Sequence, residues 1–111
     1  MGLLGSSNYT YEPVPNWAEI PSDLILGDVA GIAVDDRDRV YLFNRGQHPI
    51  VVLSQNGELL TTWGEGVFTN PHGASIGPDQ CIYLTDNFDH TVRKFSLDGK
   101  LLLKIGTAGE G

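Results

Sequence analysis

From residue 31 onward, short apolar stretches alternate with polar turns that contain glycine, proline, asparagine or aspartate. Gly31-Ile32-Ala33-Val34 is followed by the polar turn Asp35 to Asp38, and Val40-Tyr41-Leu42-Phe43 by Gly46-Gln47-His48-Pro49. Ile50 to Leu53 and Glu58 to Trp63 flank Gln55-Asn56-Gly57, an Asn-Gly hairpin signal. Runs of four to six residues rich in β-branched and aromatic side chains, bounded by such turns, predict strands. The same order returns as Gly73 to Ile76, Cys81 to Leu84, Thr91 to Phe95 and Lys100 to Ile105, with an Asp98-Gly99 turn before the last. No stretch carries a helical period.

The return is a repeat. A shift of 42 residues (73 − 31 = 42) aligns the two units without a gap. Gly31/Gly73, Tyr41/Tyr83, Leu42/Leu84, His48/His90, Ser54/Ser96, Gly57/Gly99, Leu59/Leu101, Leu60/Leu102 and Gly64/Gly106 are identical pairs. A period near 40 with four short strands per unit is the pattern of β-propeller blades. The expected fold is all-β: a blade over residues 28–66, a second over 70–108, and an N-terminal arm over 1–27. Pro13, Pro15 and Pro21 punctuate the arm, with Val14, Trp17 and Ile20 between them. Proline removes ladder donors, so the arm reads as an extended segment or edge strand rather than a third blade.

Composition narrows the partners. Glycine and proline together make 20 of 111 residues (14 + 6), which suits a turn-rich β protein. The net charge of −7 argues against nucleic acid and anionic membrane, both of which are met by clustered Lys and Arg. The apolar runs Ile50 to Leu53 and Leu101 to Leu103 are far shorter than a membrane span of about 20 residues. Cys81 is alone, so no internal disulfide forms and the compartment stays unassigned. The start, Met1 to Ser6, has no basic or long apolar region and does not read as a secretory signal; it loosely fits a myristoylation pattern that short sequences match by chance.

Propellers close with about 4–8 blades, and two blades leave faces uncovered. The chain is therefore expected to complete its fold as a homo-oligomer, a trimer of two-blade chains being favoured, or to be part of a longer propeller.

Both units resemble NHL repeats. Pro71, Gly73, Tyr83, Asp86, Asp89-His90-Thr91-Val92, Phe95 and Gly99 fill that pattern in the second unit. Gly31, Tyr41, Asn44, Gln47-His48-Pro49-Ile50 and Gly57 fill it in the first. The resemblance covers about 80 residues and implies a six-bladed propeller.

Histidine and arginine supply the candidate chemistry. His48 and His90 share one repeat position and read as turn histidines bonded to backbone. His72 departs from the repeat, its counterpart being Ala30, and it stands just before the innermost strand of its blade. Arg45, opposite Asn87 in the repeat, follows the second strand. In an up-and-down meander, the start of the first strand and the end of the second lie on one rim, so Arg45 and His72 are expected together at the channel mouth. Asp35, Asp36 and Asp38 cluster in a turn that could hold calcium, although aspartate in turns usually bonds local backbone. Asp86 reads as structural, and Trp17 and Trp63 as packing residues.

Asn70-Pro71-His72-Gly73 resembles a zinc-histidine segment of the peptidyl-α-hydroxyglycine α-amidating lyases, and Arg45-Gly46-Gln47-His48-Pro49-Ile50 resembles their active-site arginine segment. That resemblance implies His72 as a zinc ligand, Arg45 as the group that engages substrate charge, and zinc and calcium as cofactors. It implies cleavage of a C-terminal α-hydroxyglycine into a peptide amide and glyoxylate. Two further histidines and a tyrosine of that family come from later blades, and Phe88 stands in the register of the tyrosine. Two function classes follow: a propeller module that binds a small ligand or peptide at the channel mouth, and a zinc-dependent lyase-like enzyme or its degenerate relative.

Overall fold

The computed structural model describes residues 17–87 and 90–106, and the backbone of Leu4–Gly5 and Thr10–Tyr11. Pro13, Val14, Pro15, Phe88 and Asp89 lie outside the described residues. Leu4–Gly5 (β1) pairs antiparallel with Thr10–Tyr11 (β2). The first blade is a four-stranded antiparallel sheet of Val29–Val34 (β3), Val40–Asn44 (β4), Ile50–Leu53 (β5) and Leu59–Trp63 (β6), in sequence order. The second repeats it with Pro71–Ile76 (β7), Cys81–Asp86 (β8), Thr91–Ser96 (β9) and Leu101–Ile105 (β10). These are the two predicted blades. The inner strands begin two residues earlier than the pattern indicated, because each continues past an irregularity, between Val29 and Gly31 in one and Pro71 and Gly73 in the other. A bulge leaves one residue out of the ladder, so strict alternation in the sequence stops short of the strand end.

Each sheet has a front and a back. The back of the first blade carries the cross-strand rows Ala33–Tyr41–Val52–Thr61 and Gly31–Phe43–Ile50–Trp63. The front of the second carries Ile76–Ile82–Phe95–Leu101 and Ala74–Leu84–Arg93–Lys104. These two faces meet and form one core. Tyr41, Phe43, Ile50, Val52 and Trp63 pack with Ile82, Leu84 and Phe95, and Phe68 from the connector wedges between them. Phe68 meets Phe43 edge-on at 4.7 Å and Phe95 at 5.9 Å, and Trp63 lies 5.0 Å from Phe95. Such aromatic contacts each add about 0.5–1.5 kcal/mol beyond burial. The inner strands approach so closely that a Cβ on Gly31 would stand 2.7 Å from the Ala74 amide nitrogen.

The N-terminal segment adds no strand to either blade among the described residues. Among the described residues it meets the first blade's ladder through a parallel bridge between Glu19 and Glu58. Trp17 anchors it: the indole Nε1 donates to the Gln55 carbonyl at 3.0 Å, and the Trp17 backbone presses on Gly57, whose φ is +85°. At its other end Gly27 abuts Gly46. The segment is thus tied to both ends of the first blade. Val51 and Leu53, on the front of that blade, are fully buried, whereas Ile32 and Val34 on the same face are exposed. No helix among the described residues is long and apolar enough to cross a membrane.

Candidate functional site

The β4–β5 turn and the start of β7 form one rim, and a repeated Asx device builds it. Asn44 ends β4 and is completely buried. Its Oδ1 accepts from the Gly27 amide (3.0 Å) and the Gly46 amide (2.8 Å), while Nδ2 donates to the His48 and Pro49 carbonyls. Asp86, the repeat counterpart, accepts from the amides of Thr69 (2.6 Å) and Asn70 (3.0 Å). Gly27 and Thr69 are themselves 42 residues apart, so the same clamp ties connector to strand in both blades. Asp86 is structural in this sense.

This clamp presents Arg45. Its amide donates to the Asp28 carbonyl at 3.0 Å, and its side-chain Nε donates to the Pro71 carbonyl at 3.1 Å. The guanidinium therefore crosses from the first blade to the residue before His72. Both Arg45 and His72 are exposed. The Arg45 side chain thus reaches the strand that carries His72. Nε is engaged, and the terminal Nη groups meet no partner among the described residues. That leaves a planar two-donor edge of the kind that matches a carboxylate.

The remaining histidines lie elsewhere. The turn reading expected His48 to bond backbone; among the described residues its ring instead meets a side chain, Nδ1 lying 3.0 Å from the Glu65 carboxylate. Glu65 comes from the β6–β7 connector, which sequence spacing could not place beside the turn. The contact holds the Glu65 carboxyl below its ordinary range, His48 being the principal cause. His90 is exposed and adopts φ +58° in its turn.

The opposite end of the sheets holds two carboxylate networks. Asp35 accepts from the amides of Arg37 (2.9 Å) and Arg39 (3.0 Å), from Arg39 Nε (2.6 Å) and from the Tyr41 hydroxyl (2.9 Å). A carboxylate so surrounded by donors faces inward as an anchor of its turn. In the second blade the register of Asp35 holds Gly77, and Asp79 takes over the role. Tyr83 donates to it at 2.7 Å, Lys94 lies at 3.1 Å, and a Cβ on Gly77 would stand 2.8 Å from its Oδ1. The blade conserves a tyrosine–carboxylate–cation cluster while moving the carboxylate two residues along the turn. Sequence comparison alone pairs Asp35 with glycine and misses it.

No group of three His, Cys, Asp or Glu side chains among the described residues is placed to hold a metal ion. His72 is a single imidazole at an open rim, and the two further histidines that the resemblance implied belong to later blades. The aspartates of the 35–38 turn do not converge on a calcium site either. Trp63 is buried at the blade interface and Trp17 holds the N-terminal segment, so both are packing residues, as expected.

No profile of a known protein family matches the chain. Individual proteins do. Human NHL repeat-containing protein 3 is 35% identical over 104 residues, covering 85% of this chain and 29% of that protein. Rat peptidylglycine alpha-amidating monooxygenase is 31% identical over 108 residues, covering 72% of this chain and 11% of the rat protein. Peptidyl-alpha-hydroxyglycine alpha-amidating lyase 1 of Drosophila melanogaster is 26% identical over 133 residues, covering 95% of this chain and 24% of the lyase. The chain thus spans less than a third of the length of these relatives.

Proposed function

On the premise that this chain is a relative of the NHL-repeat and peptidylglycine-amidating proteins and is built of NHL-type propeller blades, we propose that it is a ligand-binding propeller module. Its recognition site is the rim that carries Arg45 and His72, and its ligand is a small molecule or peptide bearing a carboxylate. One observation carries this reading: the Arg45 Nε–Pro71 O hydrogen bond. It holds the guanidinium across the seam between the blades, at the residue that precedes His72 in the chain, and Arg45 is exposed. Propeller rims collect groups from several blades, and this is the seam where the sequence abandons its own repeat. The remainder of the chain is strongly acidic, so an isolated guanidinium on this rim directs an anion to one place.

The enzymatic reading of the same rim needs more than these residues give. One imidazole does not hold zinc in a three-ligand site, and the Phe88 position lies outside the described residues. The rim as it stands binds and orients.

The test is a titration of the purified chain, followed by NMR, with an N-acetyl dipeptide ending in glycine and with its C-terminal amide. The carboxylate form is expected to shift resonances around Arg45 and His72 and to bind about ten-fold more tightly than the amide. Arg45→Gln is expected to erase that difference. Equal affinity for the two peptides, or an unchanged preference in the variant, would overturn the proposal.

A further inference from the structure

The back of the second blade has the construction of a docking face, and nothing among the described residues covers it. Its cross-strand rows are Ser75–Tyr83–Lys94–Leu103 and Gly73–Thr85–Val92–Ile105. Each position is 42 residues beyond its counterpart on the back of the first blade, which is buried against the second. Trp63 is 8% exposed there, whereas its counterpart Ile105 is 57% exposed. Leu103 is 51% exposed. The single charge in the rows is matched locally, the Lys94 ammonium lying against Asp79 and 5.7 Å from the centre of the Tyr83 ring.

Gly73 is the sharper sign. Its counterpart Gly31 lacks a side chain because Ala74 of the next inner strand is in the way. At Gly73 an added Cβ would meet only the Thr85 hydroxyl, at 3.1 Å, so no inner strand fills the space that this glycine keeps open.

The matching surface is on the same molecule. The front of the first blade carries Val34–Val40–Leu53–Leu59 and Ile32–Leu42–Val51–Thr62. Ile32 and Val34 occupy the registers of Ala74 and Ile76, the residues that dock β7 on the first blade. They are 59% and 53% exposed. Val51 and Leu53, farther out, are already buried. The open part of the front is therefore its inner half, and the inner strands are where the two blades of one chain approach most closely.

We propose that the back of the second blade docks a second copy of this chain, head to tail, through the front of that copy's first blade. The contact continues the blade-to-blade interface already present within one chain. Gly73 receives the partner's Ile32 as Gly31 receives Ala74, and Tyr83, Val92 and Ile105 pack on the partner's Val34 and Leu42. The two patches are different surfaces, so the contact is heterologous, and it propagates until rotation closes a ring.

Light scattering and sedimentation of the purified chain over a range of concentrations read this directly. The wild-type chain is expected to exceed its monomer mass of 12.1 kDa. Ile105→Lys breaks the back and Ile32→Lys the front. Both residues are exposed, so each variant is expected to keep its fold by circular dichroism and to run as a monomer. An equimolar mixture of the two is expected to form a dimer and nothing larger, since one variant keeps an intact back and the other an intact front. Gly73→Ala is expected to weaken association at least about ten-fold with an unchanged melting temperature in dilute solution. A wild-type mass of one chain at every concentration would remove the second copy as occupant. A mixture that stays monomeric, or variants that assemble normally, would equally overturn the head-to-tail contact.

Discussion

Asp35 shows how a single side chain holds a blade edge. Burial pushes its carboxyl pKa up, but the amides of Arg39 and Arg37, the Arg39 side chain and the Tyr41 hydroxyl together outweigh burial and hold it below 3.8. A carboxyl depressed on folding contributes stability that is complete above its unfolded pKa and is lost as pH falls through the folded value. The same bond raises Tyr41, burial being the larger cause. Asp35→Asn is therefore expected to lower the melting temperature near neutral pH, by an amount corresponding to about 1–3 kcal/mol. The gap to wild type is expected to narrow as pH falls below about 3.8. A gap that stays constant from pH 7 to pH 2 in thermal melts would show that the ionised carboxylate is not what stabilises the turn. In the second blade, Gly77 belongs to the same argument: its missing side chain is the room that Asp79 uses.

Between elements, the decisive feature is how closely the inner strands pass. β3 and β7 are not paired by a ladder, yet Gly31 brings β3 against the β7 backbone. The aromatic residues Phe43, Trp63, Phe68 and Phe95 fill the widening gap farther from the axis. A propeller blade tapers in this way, small inside and large outside. Gly31→Ala would force a Cβ to 2.7 Å from the Ala74 nitrogen, and backbone cannot turn aside as a flexible side chain can. The variant is expected to lose about 1–3 kcal/mol in urea unfolding, the range for overpacking. An unchanged midpoint would mean that the blades separate slightly at no cost, and that the close approach does not fix their spacing.

At the scale of the described molecule, the two sheets share their largest core, with Val51 and Leu53 buried separately on the front of the first blade. The face that each blade turns to the other is completed by that neighbour, so neither sheet is expected to survive alone. Unfolding is expected to be a single transition: far-ultraviolet circular dichroism and tryptophan fluorescence should give coincident curves, because Trp63 sits in the shared core and Trp17 in the N-terminal tie. Two separated transitions would show that the blades are independently stable. The chain aligns with less than a third of each of these relatives. On the two blades described, Ile32, Val34, Leu103 and Ile105 are exposed apolar side chains, and they are the positions that the proposed head-to-tail contact would cover.

The sequence by itself determined the blades. Alternation, Asn-Gly and Asp-Gly turns and the 42-residue register are local signals, so strands such as Ile50–Leu53 could be placed to the residue. It also singled out Arg45 and His72, because a departure from a repeat is visible without any structure. Tertiary structure alone decided what those residues touch. The Arg45–Pro71 bond, the His48–Glu65 contact and the exchange of Asp35 for Asp79 join positions whose distance apart in the chain carries no signal. It also decided that Trp17 and Glu19 tie the described part of the N-terminal segment to the first blade. The physical reason is common to all of these: periodicity reports which face a residue takes, but only packing in three dimensions reports what stands opposite it.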